Sequence, residues 1–162
     1  MVIVILIISF LLDGILSNYL PSNMSPLFSL IGLIVSYEFF SYDNREFYKY
    51  AFILGFCYDM FYTDTFVFYG FLFLLISMAI AGISRFLASS YLNLIIVSII
   101  CIILFRTITY FSLLITGNII YNIDNLLESI SSSLIINIIY GLIVKFICNR
   151  ILKFKKKRKK YY

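Results

Sequence analysis

The chain has 162 residues, of which 62% are hydrophobic and 13% charged, with a net charge of +5 and a mean hydropathy of +1.01. Soluble domains are nearer about 45–50% apolar, so a soluble globular domain is excluded. The composition is that of an all-α polytopic membrane protein, in which each helix satisfies its own backbone hydrogen bonds.

Six apolar segments follow one another. The first, Val2 to Leu20, is interrupted by Asp13 and Gly14. No Lys or Arg precedes it and no A-x-A site follows it, so it is expected to be retained and not cleaved as a signal peptide. Pro21 and Pro26 bracket a PSNMSP turn, and Leu27 to Phe40 is the second segment, short for a spanning helix. The polar break SYDNREFYK leads to the third, Tyr50 to Tyr62, which is again short. The fourth runs from Phe66 to Ser84 and is closed by Arg85, and the fifth, Leu92 to Ile115, is interrupted by Arg106. A loop is expected over Gly117 to Glu128, and the sixth segment starts at Ile130 and reaches Phe146 or slightly beyond. Residues 1–152 are thus expected to form one bundle of six transmembrane helices, and residues 153–162, ending KFKKKRKKYY, a basic cytoplasmic tail.

Charge orients the bundle. With the amino terminus in the cytoplasm and six crossings, the inner loops hold Arg45, Lys49 and Arg85, and the inner tail holds Lys145, Arg150 and the run from Lys153 to Lys160. The outer loops hold Asp64, Asp124 and Glu128 and no Lys or Arg, the asymmetry of the positive-inside rule. Both termini are therefore expected inside a plasma membrane. The tail is expected to anchor on anionic lipid, at ~1 kcal/mol per basic residue near the surface, and needs no nucleic acid to explain it.

The chemistry is sparse. His is absent, which removes the commonest general base and metal ligand. Cys57, Cys101 and Cys148 lie far apart in apolar segments without a CxxC pair and read as small hydrophobes. Nothing pairs a nucleophile with a base, so neither enzyme activity, nor a cofactor, nor a metal is expected.

Three charges fall within apolar segments: Asp13, Asp59 and Arg106. Each is unfavourable by roughly 2.5–3.5 kcal/mol at mid-helix, and such residues usually face the bundle interior and find a partner. Segments one, three and five run the same way, which places all three charges roughly 7–15 Å below the outer surface. A shared cluster, with Arg106 between two carboxylates, is one arrangement; separate snorkelling to the outer interface is another; a proton or ion relay, weakened by the lack of His and of a longer acidic chain, is a third. Gly55 and Asp59 are four residues apart, on one helix face. A glycine there allows a neighbouring helix to approach closely, and the acid one turn on can bond into that neighbour. Gly70, opening the next segment, allows the third and fourth to pack as a tight hairpin.

The stretch YKYAFILGFCYDMFYTDTFVFYGFLFLLISMAIAGISRFL, Tyr48 to Leu87, resembles the core of the rod shape-determining protein MreD family. The resemblance rests on a glycine, an acid four residues later, a glycine opening the next helix and a basic residue closing it: Gly55, Asp59, Gly70 and Arg85. SPLFSLIGLIVSYEFF resembles the family's proline-led helix, with Pro26 at its start, and FLLDGILSNYL places Asp13 and Gly14 in its acidic-glycine position. Tyr62 to Asp64 depart from the small-residue turn of that pattern. The resemblance implies a non-enzymatic scaffold of the bacterial elongation machinery. It would partner an MreC-like bitopic protein and, indirectly, a RodA-type polymerase and a class B penicillin-binding protein. It also implies a bundle like the substrate-binding subunits of energy-coupling-factor transporters, so the alternative is a vitamin-binding subunit of such a transporter.

Overall fold

The computed structural model describes residues 1–19, 26–40, 44–63, 65–86 and 90–158, with side chains as far as Leu152. Of the residues singled out in the sequence, Pro21, Asp64 and the side chains from Lys153 onward lie outside this set. The described chain is all-helical: α1 (Val2–Tyr19), α2 (Phe28–Tyr37), α3 (Asn44–Tyr62), α4 (Phe68–Phe86), α5 (Tyr91–Ile115) and α6 (Ile123–Arg158). Four of them, α1, α4, α5 and α6, are long and apolar enough to cross a membrane.

The other two differ for distinct reasons. α3 has 19 residues but opens on Asn44, Arg45 and Glu46 and reaches its apolar stretch only after Lys49. α2 has 10 residues; at ~1.5 Å per residue it covers about half of a ~30 Å hydrocarbon core. α2 is also the axis of the fold. Every residue from Phe28 to Ser36 is buried, and α2 packs against all of the other helices. The surrounding helices meet in the order α1, α3, α4, α5, α6. The ring closes where the Ser9 hydroxyl of α1 and the Tyr140 hydroxyl of α6 hydrogen-bond at 2.8 Å. A helix apolar on every side belongs at the centre of such a bundle.

The outer surface differs from that of a soluble protein. The ridge Ile135, Ile139, Ile143, Ile147 and Ile151 along α6 is exposed, as are Ile3, Ile7, Leu11 and Ile15 along α1. Besides its apolar core the interior contains Ser9, Asp13, Ser36, Asp59, Ser77, Ser133, Asn137 and Lys145, all buried. Lipid can cover apolar side chains but cannot satisfy polar ones, so the polar groups turn inward.

The loop expected over Gly117 to Glu128 is helical from Ile123 onward, and local capping explains the difference. The Asn122 side chain accepts the Asp124 N–H at 2.9 Å, an N-cap arrangement. The Tyr110 hydroxyl of α5 holds Asn122 further, donating to its carbonyl at 2.8 Å and accepting its N–H at 2.7 Å. α5 ends at Gly117 with φ +74°, where the Asn118 N–H reaches the Leu113 carbonyl and the Gly117 N–H that of Leu114. This is a Schellman stop, which glycine adopts without steric penalty.

Candidate functional site: buried helix starts and the polar layer around them

α2 begins inside the bundle, and this dictates its surroundings. The first N–H groups of any helix lack an intrahelical acceptor, and none can be left bare in a membrane interior. Pro26, buried just ahead of α2, removes one donor outright. The next three donors are met by side chains from other helices. The Leu27 N–H donates to Asn137 Oδ1 of α6 at 2.8 Å. The Phe28 and Ser29 N–H groups donate to Asp13 Oδ1 and Oδ2 of α1 at 2.6 and 2.7 Å. Asp13, 3% exposed, is therefore an N-cap supplied in trans, and its negative charge lies at the positive end of the α2 dipole.

Asp59 repeats the device one hairpin later. Its Oδ2 accepts the Gly70 N–H of α4 at 3.0 Å and its Oδ1 the Thr65 hydroxyl at 2.5 Å. Gly55, one turn earlier in α3, lets the helices close: a Cβ there would run into the Tyr69 carbonyl and the Gly70 Cα. The turn between them is strained, since Val67 has φ +61°, a genuine outlier for a β-branched residue.

In the structure, Asp13 and Asp59 are thus on separate helix starts and are not joined into a three-way ion cluster with Arg106. Among the described residues the ion pairs are Lys49–Glu46 and Lys145–Glu38. Helix-start donors stand where a cation was expected: Asp13 accepts two backbone N–H groups, and Asp59 accepts one together with a hydroxyl. Arg106 is an electrostatic neighbour of Asp13, Tyr58 and Tyr69, and its Nε donates to Ser133 Oγ at 2.9 Å. From Ser133 the layer continues along α6, whose Asn137 Nδ2 donates to the Ser133 carbonyl at 2.6 Å. Side chains of α5, α6 and α1 in this way converge on the start of α2. Gly14 sits beneath Tyr62, whose hydroxyl donates to the Phe10 carbonyl at 2.7 Å and ties α3 to α1.

A family comparison fits this arrangement. The family described as rod shape-determining protein MreD matches residues 1–155. The chain belongs to the MreD family. It is accordingly a multi-pass membrane protein with a role in rod-shape determination. No curated protein and no solved structure matches the chain, so neither the likeness to energy-coupling-factor subunits nor the vitamin-binding alternative gains support from them.

Two features of this MreD-family chain were not readable from its sequence. Asn137 carries part of the α2 cap, and its one signal is that it is an amide within the apolar run Leu134 to Val144. Lys145, read above as part of the inner tail, is instead internal: its side chain is 4% exposed and donates to Glu38 at 2.5 Å and to the Ser90 carbonyl at 2.8 Å. α6 continues well beyond Lys145, so the residue faces the α2 end and not the tail. Arg85 is exposed in the last turn of α4.

Removing one partner of this pair should be asymmetric. The Glu38 side chain is 31% exposed and can rehydrate; the Lys145 ammonium cannot. Glu38→Gln is expected to cost about 3 kcal/mol, as stranded buried charges do, and Lys145→Met about 1 kcal/mol. The double variant should recover part of the Glu38→Gln loss. Thermal melts of the detergent-solubilised chain check the order; a Lys145→Met loss larger than the Glu38→Gln loss would refute it.

Proposed function

We propose that the chain is a non-enzymatic scaffold of the bacterial cell-elongation complex, crossing the membrane six times with both termini in the cytoplasm. In this reading it partners an MreC-like bitopic protein and acts indirectly on a RodA-type polymerase and its class B penicillin-binding partner. The observation that carries it is the family match over residues 1–155. The use of the buried polar groups supports it: the carboxylates of Asp13 and Asp59 are occupied by helix starts and hold shape within the bundle. Asp13, Gly14, Pro26, Gly55, Asp59 and Gly70 are assigned to internal packing, Arg106 to the polar layer beside them, and Arg85 to the closing turn of α4. The basic tail is assigned to anionic lipid.

The test is depletion combined with copurification. Cells depleted of the protein should round up and lose lateral wall insertion, and the tagged full chain should copurify a coiled-coil bitopic protein. Unchanged shape and wall insertion would overturn the scaffold. The side of the carboxyl terminus is tested separately by a reporter fused after Tyr162, which should report from the cytoplasm.

A further inference from the structure

We propose that the bundle contains, at its Arg85 end, a binding site for an anionic amphiphile, with a phosphate head at Arg85 and a chain directed between α2, α5 and α6. The site is a cavity of about 500 Å³, within the range of ligand pockets. It lies at the opposite end of the fold from the Asp13 and Asp59 caps, beside the Lys145–Glu38 pair.

Its lining divides by chemistry. Ile34 of α2, Leu94 and Val97 of α5 and Leu152 of α6 form an apolar wall, while Ser84 and Arg85 of α4 stand together at one side. Charge then selects the ligand. The carboxylate in the lining, Glu38, is neutralised by Lys145. Arg85 belongs to neither of the ion pairs among the described residues. The described lining therefore has a surplus positive charge, carried by a guanidinium, whose planar donors suit phosphate oxygens. A small soluble anion would leave the apolar wall unused, whereas a lipid phosphate occupies both parts. Arg85 also closes the helix where the positive-inside rule places the cytoplasmic leaflet, the leaflet rich in anionic lipid.

The proposal is tested on the full chain in phosphatidylcholine nanodiscs containing phosphatidylglycerol, with bound lipid read by native mass spectrometry. One phosphatidylglycerol per chain is expected to persist. Arg85→Gln should weaken its retention about tenfold, the effect of losing one charge-assisted hydrogen bond. Ser84→Phe, which fills the cavity without altering charge, should do the same. Lys49→Gln removes a positive charge at the same end but outside the cavity, and should leave retention unchanged. Arg85 is exposed, so its variant is expected to melt like the parent chain. Equal retention in all variants would overturn the site, and so would a loss in Lys49→Gln as large as in Arg85→Gln, which marks diffuse surface attraction. Inorganic phosphate binding as tightly as phosphatidylglycerol would show that the apolar wall contributes nothing, and would overturn the amphiphile.

Discussion

Replacing Asp13 by alanine is expected to unseat α2 and with it the centre of the bundle. The substitution strands the Phe28 and Ser29 N–H groups, each of which now donates to one carboxylate oxygen. Hydrogen bonds to a charged group contribute about 1.5–3 kcal/mol each, and the site has no lipid acceptor to replace them, so a loss of about 3–5 kcal/mol is expected. Asp13→Asn keeps one acceptor oxygen and removes the charge at the helix start, and should cost about 1–2 kcal/mol. If the carboxylate instead served to pair with Arg106, asparagine would be nearly as damaging as alanine, and Arg106→Met would relieve the Asp13→Ala variant. The cap account expects neither. The chain has 14 Tyr and no Trp, so unfolding in detergent can be followed by tyrosine fluorescence, with far-UV circular dichroism as the second probe. Indistinguishable stabilities for Asp13→Ala and the parent would sink the cap.

How much of this was legible depends on what hydropathy can report. It locates apolar segments, and the starts of α1, α2, α4 and α5 fall within two residues of where the sequence puts them. It cannot tell a helix surrounded by protein from one surrounded by lipid, since both are apolar, so α2 reads as a short span and its place at the axis is invisible. The intramembrane charges were legible as a cost to be offset. The offsetting group was not, because an unsatisfied helix start has no residue signature and opposite charge is the only complement that a sequence displays. Asp13 and its acceptor duty lie 15 and 16 positions from Phe28 and Ser29, and Asn137 lies 110 positions from Leu27; only packing brings them together. Lys145 misled for the reverse reason, since a Lys near the end of an apolar run looks like tail.

The scaffold reading and the cap geometry have a common physical basis. A protein that holds other transmembrane helices has to keep its own outer ridges fixed, and in lipid there is no hydrophobic drive between helices to do so. Directional bonds to helix starts take that part. Asp13 fixes α1 to α2 and Asp59 fixes α3 to α4, with Tyr62 joining the two pairs through the Phe10 carbonyl. The exposed ridge of α1 is thereby locked to the axis of the bundle.

Gly55→Ala is the substitution expected to separate this directional packing from ordinary helix propensity. Alanine is favoured over glycine in a helix by about 1 kcal/mol, so a packing-neutral site gains from the change. Gly82 in α4 is such a site, with open space where a Cβ would fall, and Gly82→Ala is expected to be neutral or slightly stabilising. At Gly55 the added methyl meets backbone, the Tyr69 carbonyl and the Gly70 Cα, which cannot rotate away as a side chain does. The α3–α4 hairpin must splay, at about 1–3 kcal/mol for overpacking, and the bond from the Gly70 N–H to Asp59 lengthens with it, adding about 1 kcal/mol. A net loss of about 3 kcal/mol is therefore expected for Gly55→Ala against none for Gly82→Ala, read as the shift in unfolding midpoint of the two variants measured side by side. Equal midpoints would mean that α3 and α4 tolerate separation, and that Asp59 does not need the close approach to cap α4.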